Sequence, residues 1–97
     1  MVIEYPEFHG FDWDDGNKNK NEKHGVYAWE CEQVFFNEPL LILGDLKHSL
    51  VEERFAAFGR TDGGRLLVVV YTMRKERLRV ISARDMSKKE RDFYENG

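Results

Sequence analysis

The sequence predicts an α+β domain, with two helices first, an antiparallel sheet of about four strands next, and one helix at the end. Three observations predict it. Apolar residues recur at three- and four-residue spacing within residues 26–37, as they do on one face of a helix. Three runs after residue 53 are alternating or continuously apolar, which is typical of strands. Asp62-Gly63-Gly64, between the first two of these runs, favours a tight antiparallel turn.

The first elements are short. Residues 11–14 alternate aromatic and acidic side chains, which predicts a short half-buried strand. Asp14 or Asp15 can cap a first helix that continues to about His24 and ends at Gly25. Because nearly all of its residues are polar, we expect this helix to pack weakly and to be mostly solvated.

A second helix and a short strand are predicted next. The helix spans residues 26–37, and Pro39 ends it. Residues 40–43 predict a short apolar strand, and Gly44-Asp45 predicts the turn after it. Residues 47–52 are predicted to form a loop.

The first two long strands are predicted to pair through the glycine turn. Residues 54–60 alternate, so that Phe55 and Ala57 share one face. Residues 66–72 are apolar on both faces, which suits a central strand covered by helices on one side.

The last strand and the last helix complete the domain. After a turn at residues 73–76, residues 77–84 alternate again, which places Leu78, Val80 and Ser82 on one face. The last helix begins after Ser87, with Glu90 completing a capping box and Phe93 and Tyr94 packing it against the sheet.

Length and composition indicate one domain, residues 1–97, with one modest core. The longest apolar run, residues 66–71, is far shorter than the roughly 20 residues that a membrane-spanning helix needs. Cys31 is the single cysteine, which excludes an internal disulfide and favours a small packing residue. We therefore expect a soluble protein of the reducing cytoplasm.

Charge is distributed unevenly along the chain. Residues 1–59 hold 5 Lys and Arg against 12 Asp and Glu, a net charge of −7. Residues 60–97 hold 10 against 6, a net charge of +4. Either the later elements carry a cationic surface for an anionic ligand, or the two halves attract each other within the fold.

Acid–base and arginine side chains are the chemistry that the sequence offers. It contains no glycine-rich phosphate loop, dinucleotide fingerprint, paired-histidine metal motif or nucleophilic-serine elbow. The three histidines lack metal-ligand spacing, so we expect no metal and no cofactor. The candidates that remain are His48, Glu53, Arg54, Tyr71, Arg79 and Arg84.

These residue types suit phosphate chemistry. Arginine binds phosphate through two N–H groups and stabilises charge that develops on it. Histidine or glutamate can relay the proton of a sugar hydroxyl. Each charged candidate also has a structural alternative, a solvated charge or a cross-strand ion pair with Glu53, Asp85 or Glu90. Tyr71 has the alternative of a core position.

Six segments occur in the order expected of one family. They are Phe-Asp-Trp-Asp at 11–14, Lys-His-Gly-Val at 23–26, Val-Phe-Phe at 34–36, Glu-Glu-Arg-Phe at 52–55 with Gly-Arg at 59–60, Arg-Leu-Leu-Val-Val-Val at 65–70, and Arg-Val-Ile-Ser-Ala-Arg-Asp-Met-Ser-Lys-Lys-Glu-Arg at 79–91. With these segments the chain resembles the BrnT toxins from about residue 8 to residue 95.

The resemblance implies a RelE-like toxin fold and a metal-independent endoribonuclease that arrests growth by cutting RNA. It implies a partner as well, a BrnA-type antitoxin whose ribbon-helix-helix part binds operator DNA, so that the toxin meets DNA only through the antitoxin. The implied reaction is attack of a 2′-hydroxyl on the neighbouring phosphate. Implied catalytic residues are Arg54 and Arg84 as a phosphate clamp and His48 or Glu53 for proton transfer; implied RNA-binding residues are Lys23, His24, Arg79, Lys88 and Arg91.

Two questions stay open. The chain is one residue shorter than the usual family spacing between Asn21 and Lys23, so either the first helix is broken there or Lys23 and His24 turn by about 100°. The function also has alternatives, a catalytically inactive relative that binds its antitoxin or nucleic acid, and a domain that binds a small molecule or protein without any nucleic-acid role.

Overall fold

The computed structural model describes residues 7–44 and 52–96. In this part of the chain three helices and four strands form the predicted α+β fold. The elements are α1 (Asp15–Lys23), α2 (Ala28–Val34), β1 (Leu41–Gly44), β2 (Phe55–Arg60), β3 (Leu66–Arg74), β4 (Arg77–Asp85) and α3 (Lys88–Asn96). The strands form one antiparallel sheet in the order β1-β2-β3-β4. The predicted turn at Asp45 and most of the predicted loop at 47–52 lie outside the described residues.

The two faces of the sheet are covered unequally. One face carries α1 and α2 over the larger core, which includes Cys31, Ile42, Val69 and Tyr71. The other face carries a smaller cluster, in which Phe58, Val68, Met86 and Tyr94 are buried. Tyr94 lies on α3, so this helix covers one end of the second face.

Helix α1 is mostly exposed, as predicted, but two buried asparagines anchor it, which corrects the prediction of weak packing. Asn17 and Asn21 are buried although the helix has no apolar stripe. The Asn17 amide donates to the carbonyl oxygens of Asp12 and Val80, each at 3.0 Å. Asp14 is the N-cap and forms a reciprocal capping box with Asn17. Hydrogen bonds therefore hold the helix on β4 where apolar contacts are lacking.

Residues 11–14 do not form the predicted strand. Phe11 makes a single parallel bridge with Leu78 at the edge of the sheet. Because the capping box fixes Asp14 as the N-cap of α1, too few residues remain before it to pair with a strand over several positions. Helix α2 is also shorter than predicted, since Tyr27 precedes it as the N-cap and Phe35 follows it as the C-cap.

A β-bulge in β4 changes the side-chain alternation predicted for residues 77–84. Tyr71 pairs with Val80, but Val70 pairs with Ser82, so one residue of β4 is extra. Ala83 consequently joins the larger core in place of Ser82. Arg84 pairs with Val68 and comes to the face that carries α3.

The turns and the last helix follow the sequence signals more closely. The β2–β3 turn lies where Asp62-Gly63-Gly64 predicts it. The β3–β4 turn uses positive φ angles at Lys75 and Glu76, of 49° and 69°. The predicted capping box of α3 is present, since the Ser87 N–H donates to Glu90 at 2.8 Å and the Glu90 N–H donates to Ser87 at 3.2 Å.

None of the described helices is long and apolar enough to cross a membrane.

Replacing Asn17 tests the polar anchor of α1. Asn17→Ala leaves the carbonyl oxygens of Asp12 and Val80 without their donor and removes the side-chain half of the capping box, so we expect a loss of about 2 kcal/mol in the free energy of unfolding. The matched control is Asn19→Ala, which removes an exposed asparagine from the same helix. Urea denaturation measures both; equal losses would contradict the anchor.

Candidate functional site

A cleft of about 360 Å³ lies between the C-terminal end of α1 and the end of β4. Its lining residues are Lys20, His24, Ser82, Ala83, Arg84 and Asp85. Two of the predicted site residues, His24 and Arg84, are thus brought together. With Lys20 they give the cleft three side chains that can carry positive charge, which favours an anionic ligand.

Arg65 joins the segments that form the cleft. Its guanidinium contacts Asp85 at 2.7 and 3.1 Å and both carboxylate oxygens of Glu30 at 3.1 Å. It also donates to the carbonyl oxygen of Gly25 at 2.9 Å, just after His24. The hydrogen bonds that Arg65 donates to Asp85 and Glu30 raise its pKa, and Arg65 in turn lowers the pKa of Asp85. The end of α1, the start of α2 and the end of β4 are therefore tied to one cation.

Arg84 is held by a carboxylate of α3. Its Nη1 and Nη2 donate to the two carboxylate oxygens of Glu90, at 2.6 and 2.8 Å, in a bidentate pair. The Arg84 side chain remains 58% exposed. The hydrogen bond from Arg84, helped by Ser87, lowers the pKa of Glu90 to about 2, and Glu90 raises the pKa of Arg84. A planar oxyanion thus already occupies the fork that a phosphate would use.

Arg54 and Glu53 lie at the other end of the sheet. Arg54 precedes Phe55, which pairs with Tyr71, whereas Arg84 pairs with Val68. With β3 between their strands, the two arginine Cα atoms are roughly 15 Å apart. At this separation of their Cα atoms, the two arginines are not placed to bind the same phosphate.

The surroundings of these two residues are also distinct. Arg54 Nη2 lies 3.4 Å from a carboxylate oxygen of Glu52, and Arg54 Nε is buried without a hydrogen-bond partner in the described structure. The Glu53 side chain is exposed, and its carbonyl oxygen accepts a hydrogen bond from Thr72 at 2.7 Å. His48 lies outside the described residues.

Arg79 is engaged by two carboxylates. It contacts Asp12 at 3.4 Å and Asp14 at 2.8 Å, and its side chain is only 16% exposed. Arg79 also lowers the pKa of Asp14, after the larger effect of the Asn17 backbone. These contacts fasten the start of α1 to β4 and favour a structural role for this arginine.

The other predicted RNA-binding residues are at the surface. Lys23 is the exposed last residue of α1, which runs unbroken to it, and His24 is the C-cap. Lys88 is exposed at the start of α3. Arg91 donates from Nη1 to the Met86 carbonyl oxygen at 3.0 Å.

Lys20, Ser82 and Arg65 were missed as site residues by the sequence reasoning. Lys20 stands four positions before His24, so helical spacing places both on one side of α1 and was a usable signal. Ser82 lines the cleft because the bulge changes which face it lies on, and no residue pattern in the sequence indicates this bulge. Arg65 lies inside a family-like segment, but its three contacts are all distant in sequence.

Two further candidates are parts of the core. Cys31 is buried, as predicted for a packing residue, and burial raises the pKa of its thiol to about 12. Tyr71 is buried beside Phe35 and Phe55, and burial raises the pKa of its hydroxyl. Within residues 7–44 and 52–96, no three His, Cys, Asp or Glu side chains form a group that could hold a metal ion.

Comparison with known proteins gives one finding. A family model described as the ribonuclease toxin, BrnT, of type II toxin–antitoxin systems matches residues 13–90. The matched segment contains α1, α2, all four strands and the Arg84–Glu90 pair. A search of curated proteins finds no match to the chain.

Arg65→Ala tests whether this arginine holds the cleft together. The substitution leaves the buried carboxylate of Glu30 without its counter-ion, so we expect a loss of about 3 kcal/mol in the free energy of unfolding. Arg60→Ala, which removes an exposed arginine at the end of β2, should change stability by less than about 0.5 kcal/mol. Similar values for the two variants in urea denaturation would refute the role given to Arg65.

The Arg84–Glu90 pair predicts a loss of stability in acid. The pKa of Glu90 is about 2 in the folded protein, below the value of about 4.3 in an unfolded chain. The stabilisation is therefore complete above about pH 5 and fades as the pH falls toward 2. Because Arg84 is largely exposed, solvent screening limits the effect to about 1 kcal/mol.

Arg84→Gln provides the comparison for this effect. The difference in unfolding free energy between the wild type and this variant should be about 1 kcal/mol at neutral pH and should shrink steadily between about pH 5 and pH 3. Urea denaturation across this range measures it. A difference that stays constant, or grows in acid, is incompatible with the assigned pKa.

Proposed function

We propose a specific activity for this chain, which belongs to the BrnT family of ribonuclease toxins of type II toxin–antitoxin systems. It is a metal-independent endoribonuclease that cuts RNA and arrests growth in the cytoplasm. A BrnA-type ribbon-helix-helix antitoxin neutralises it in this proposal, and operator DNA is bound by the antitoxin. The observation that carries the proposal is the cationic cleft in which Arg84 lies beside His24 and Lys20.

The proposed reaction uses the RNA as its own nucleophile. A base removes the proton of a 2′-hydroxyl, O2′ forms a bond to the adjacent phosphorus, and the bond from phosphorus to O5′ breaks as an acid protonates the leaving oxygen. The products are a 2′,3′-cyclic phosphate and a 5′-hydroxyl. Negative charge grows on the non-bridging oxygens in the transition state, and Arg84 stabilises it by two hydrogen bonds.

Roles for the other residues follow their positions. His48 remains a proposed group for proton transfer, and His24 joins it because it lines the cleft of Arg84. Glu53 lies next to Arg54 at the other end of the sheet, so it would act only on RNA bound there. The Cα atom of Arg54 lies roughly 15 Å from that of Arg84, so Arg54 would bind a phosphate farther along the RNA instead of the scissile phosphate. Lys23, Lys20 and the exposed cations of α3, Lys88 and Arg91, would bind the backbone independently of sequence.

The antitoxin proposal has support in the charge distribution. Residues 1–59 carry a net charge of −7, and several of their carboxylates, among them Glu7, Asp15 and Glu38, are exposed. A basic antitoxin segment that lies along them would meet complementary charge. An ordinary solvated acidic surface accounts for the same distribution, so the partner is tested by copurification with the product of a neighbouring small gene.

A catalytically inactive relative is the second candidate function. The observation that favours it is the bidentate occupation of Arg84 by Glu90. If the carboxylate cannot be displaced, the cleft binds RNA weakly and does not cut it. Glu90→Gln separates the two functions, because glutamine keeps the capping interaction with Ser87 while removing the competing charge.

Cleavage of single-stranded RNA by antitoxin-free protein, with a chelator present, tests the proposal. We expect wild-type cleavage to persist and Arg84→Ala to reduce it by about 100- to 1,000-fold, since a donor to the transition-state oxyanion is lost. Lys89→Ala, which removes an exposed cation from the same end of the molecule, should stay within about 3-fold of the wild type. Glu90→Gln should cleave at least as fast as the wild type. Intact RNA with the wild type would sink the ribonuclease proposal. Cleavage by Glu90→Gln alone would then trace the inactivity to Glu90, and intact RNA with both proteins would contradict any cleaving role for the cleft.

A further inference from the structure

Two aromatic side chains at the start of α2 are exposed as a pair. Tyr27 and Trp29 are 51% and 57% exposed. Their rings are almost parallel, with an angle of 7° between the planes and 6.1 Å between the centroids. This is the offset-stacked arrangement that aromatic pairs prefer, and it leaves ring surface open to solvent.

The other exposed aromatic residues have a packing explanation. Phe36 contacts the rings of Phe8 and Phe11, and Phe93 contacts the ring of Phe58. In the part of the chain that the structure describes, the ring contact of Tyr27 and Trp29 is with each other. Neither belongs to a core cluster. Burial in the fold therefore does not explain the pair.

The pair is fixed close to the cationic cleft. The Tyr27 N–H donates to Glu30 at 3.1 Å, and Glu30 accepts from Arg65. The same guanidinium contacts Asp85, which lines the cleft. Tyr27 is also three residues after His24, across a turn that Arg65 holds through the Gly25 carbonyl oxygen. These contacts connect the Tyr27 backbone, and with it the start of α2, to the residues that line the cleft.

We propose that the Tyr27–Trp29 pair is a stacking platform for an unpaired base of the RNA whose phosphate lies in the cleft. This inference rests on the proposed function and adds a base subsite to it. Single-stranded RNA carries a flat base and a phosphate side by side, and proteins bind it by aromatic stacking next to cations. Lys20, His24 and Arg84 supply the charge complementarity for the phosphate.

Stacking also predicts the kind of selectivity. Every base has a π-face, so the platform tolerates different sequences but requires a base that is free of a duplex. We therefore expect single-stranded RNA to be preferred to double-stranded RNA, and removal of the base at the platform to weaken binding.

The experiment uses a labelled oligoribonucleotide whose 2′-hydroxyls are methylated, so that it binds without being cut. Trp29→Ala should weaken its binding about 10-fold, as loss of one base–aromatic stack does, and Trp29→Phe should restore most of the affinity. The matched control is Phe36→Ala, an exposed aromatic residue just past the other end of α2, which should leave the affinity within about 2-fold. An abasic oligonucleotide of the same length should bind wild type and Trp29→Ala equally.

Tryptophan fluorescence gives a second readout of the same subsite. In a Trp13→Phe background Trp29 is the single tryptophan, and its emission should be quenched by the base-containing oligonucleotide and not by the abasic one. Equal affinities of wild type and Trp29→Ala for the base-containing oligonucleotide overturn the platform. So does a loss of antitoxin binding in Trp29→Ala with no change in oligonucleotide binding, which would assign the pair to a protein interface.

Failure of the platform and failure of the ribonuclease proposal are distinguishable. If the wild type cuts RNA, Arg84→Ala does not, and Trp29→Ala matches the wild type in binding and cutting, the platform alone is wrong. If the wild type binds the base-containing oligonucleotide through Trp29 but leaves unmodified RNA intact, the platform stands and the cleavage proposal fails.

Discussion

The candidate site depends on Arg65, because this one guanidinium fixes segments that the backbone leaves separate. The turn at Gly25, the first turn of α2 and the end of β4 have no shared ladder, yet each contributes an acceptor to Arg65. A lysine would supply the charge but not the planar fork that reaches Asp85 and Glu30 at once. Arg65 thereby holds the start of α2, which carries the aromatic pair, against the end of β4, which lines the cleft.

Much of the cationic excess in the second half of the chain is used inside the fold. Arg79 is neutralised by Asp12 and Asp14, and Arg65 by Glu30 in the acidic half and Asp85 in its own. The structure therefore supports the reading in which the two halves attract each other, and the anionic ligand remains a proposal. Opposite charges of the two halves hold α1 and α2 on the sheet. Of the cations that line the cleft, Lys20 and His24 come from the acidic half, and Arg84 is paired with Glu90. Net charge by itself overstates the ligand surface, because it counts paired and unpaired cations alike.

The sequence predicts the fold better than the site, for a physical reason. Hydrophobic alternation, the Asp62-Gly63-Gly64 turn and the Ser87–Glu90 capping box are local signals, and the structure contains each of them. The bulge that takes Arg84 away from the larger core is a mismatch between two strands, so neither strand shows it alone. The burial of Asn17 likewise depends on a carbonyl of a residue 63 positions away. Arg84 lies in β4 and Arg54 lies just before β2, but strand register, which periodicity does not give, sets them far apart.

Glu90 makes the proposed chemistry a competition between two oxyanions. The carboxylate is held in place by Ser87 as well as by Arg84, so a ground-state phosphate gains little by displacing it. A phosphorane-like transition state carries more charge than either, and its equatorial oxygens fit the same fork. On the proposed mechanism the exchange therefore becomes most favourable as the 2′-oxygen attacks. The cost of displacing Glu90 falls on the transition state at least as much as on the substrate, so the differential that catalysis requires comes from the added charge on the phosphorane and Glu90 only lowers the rate.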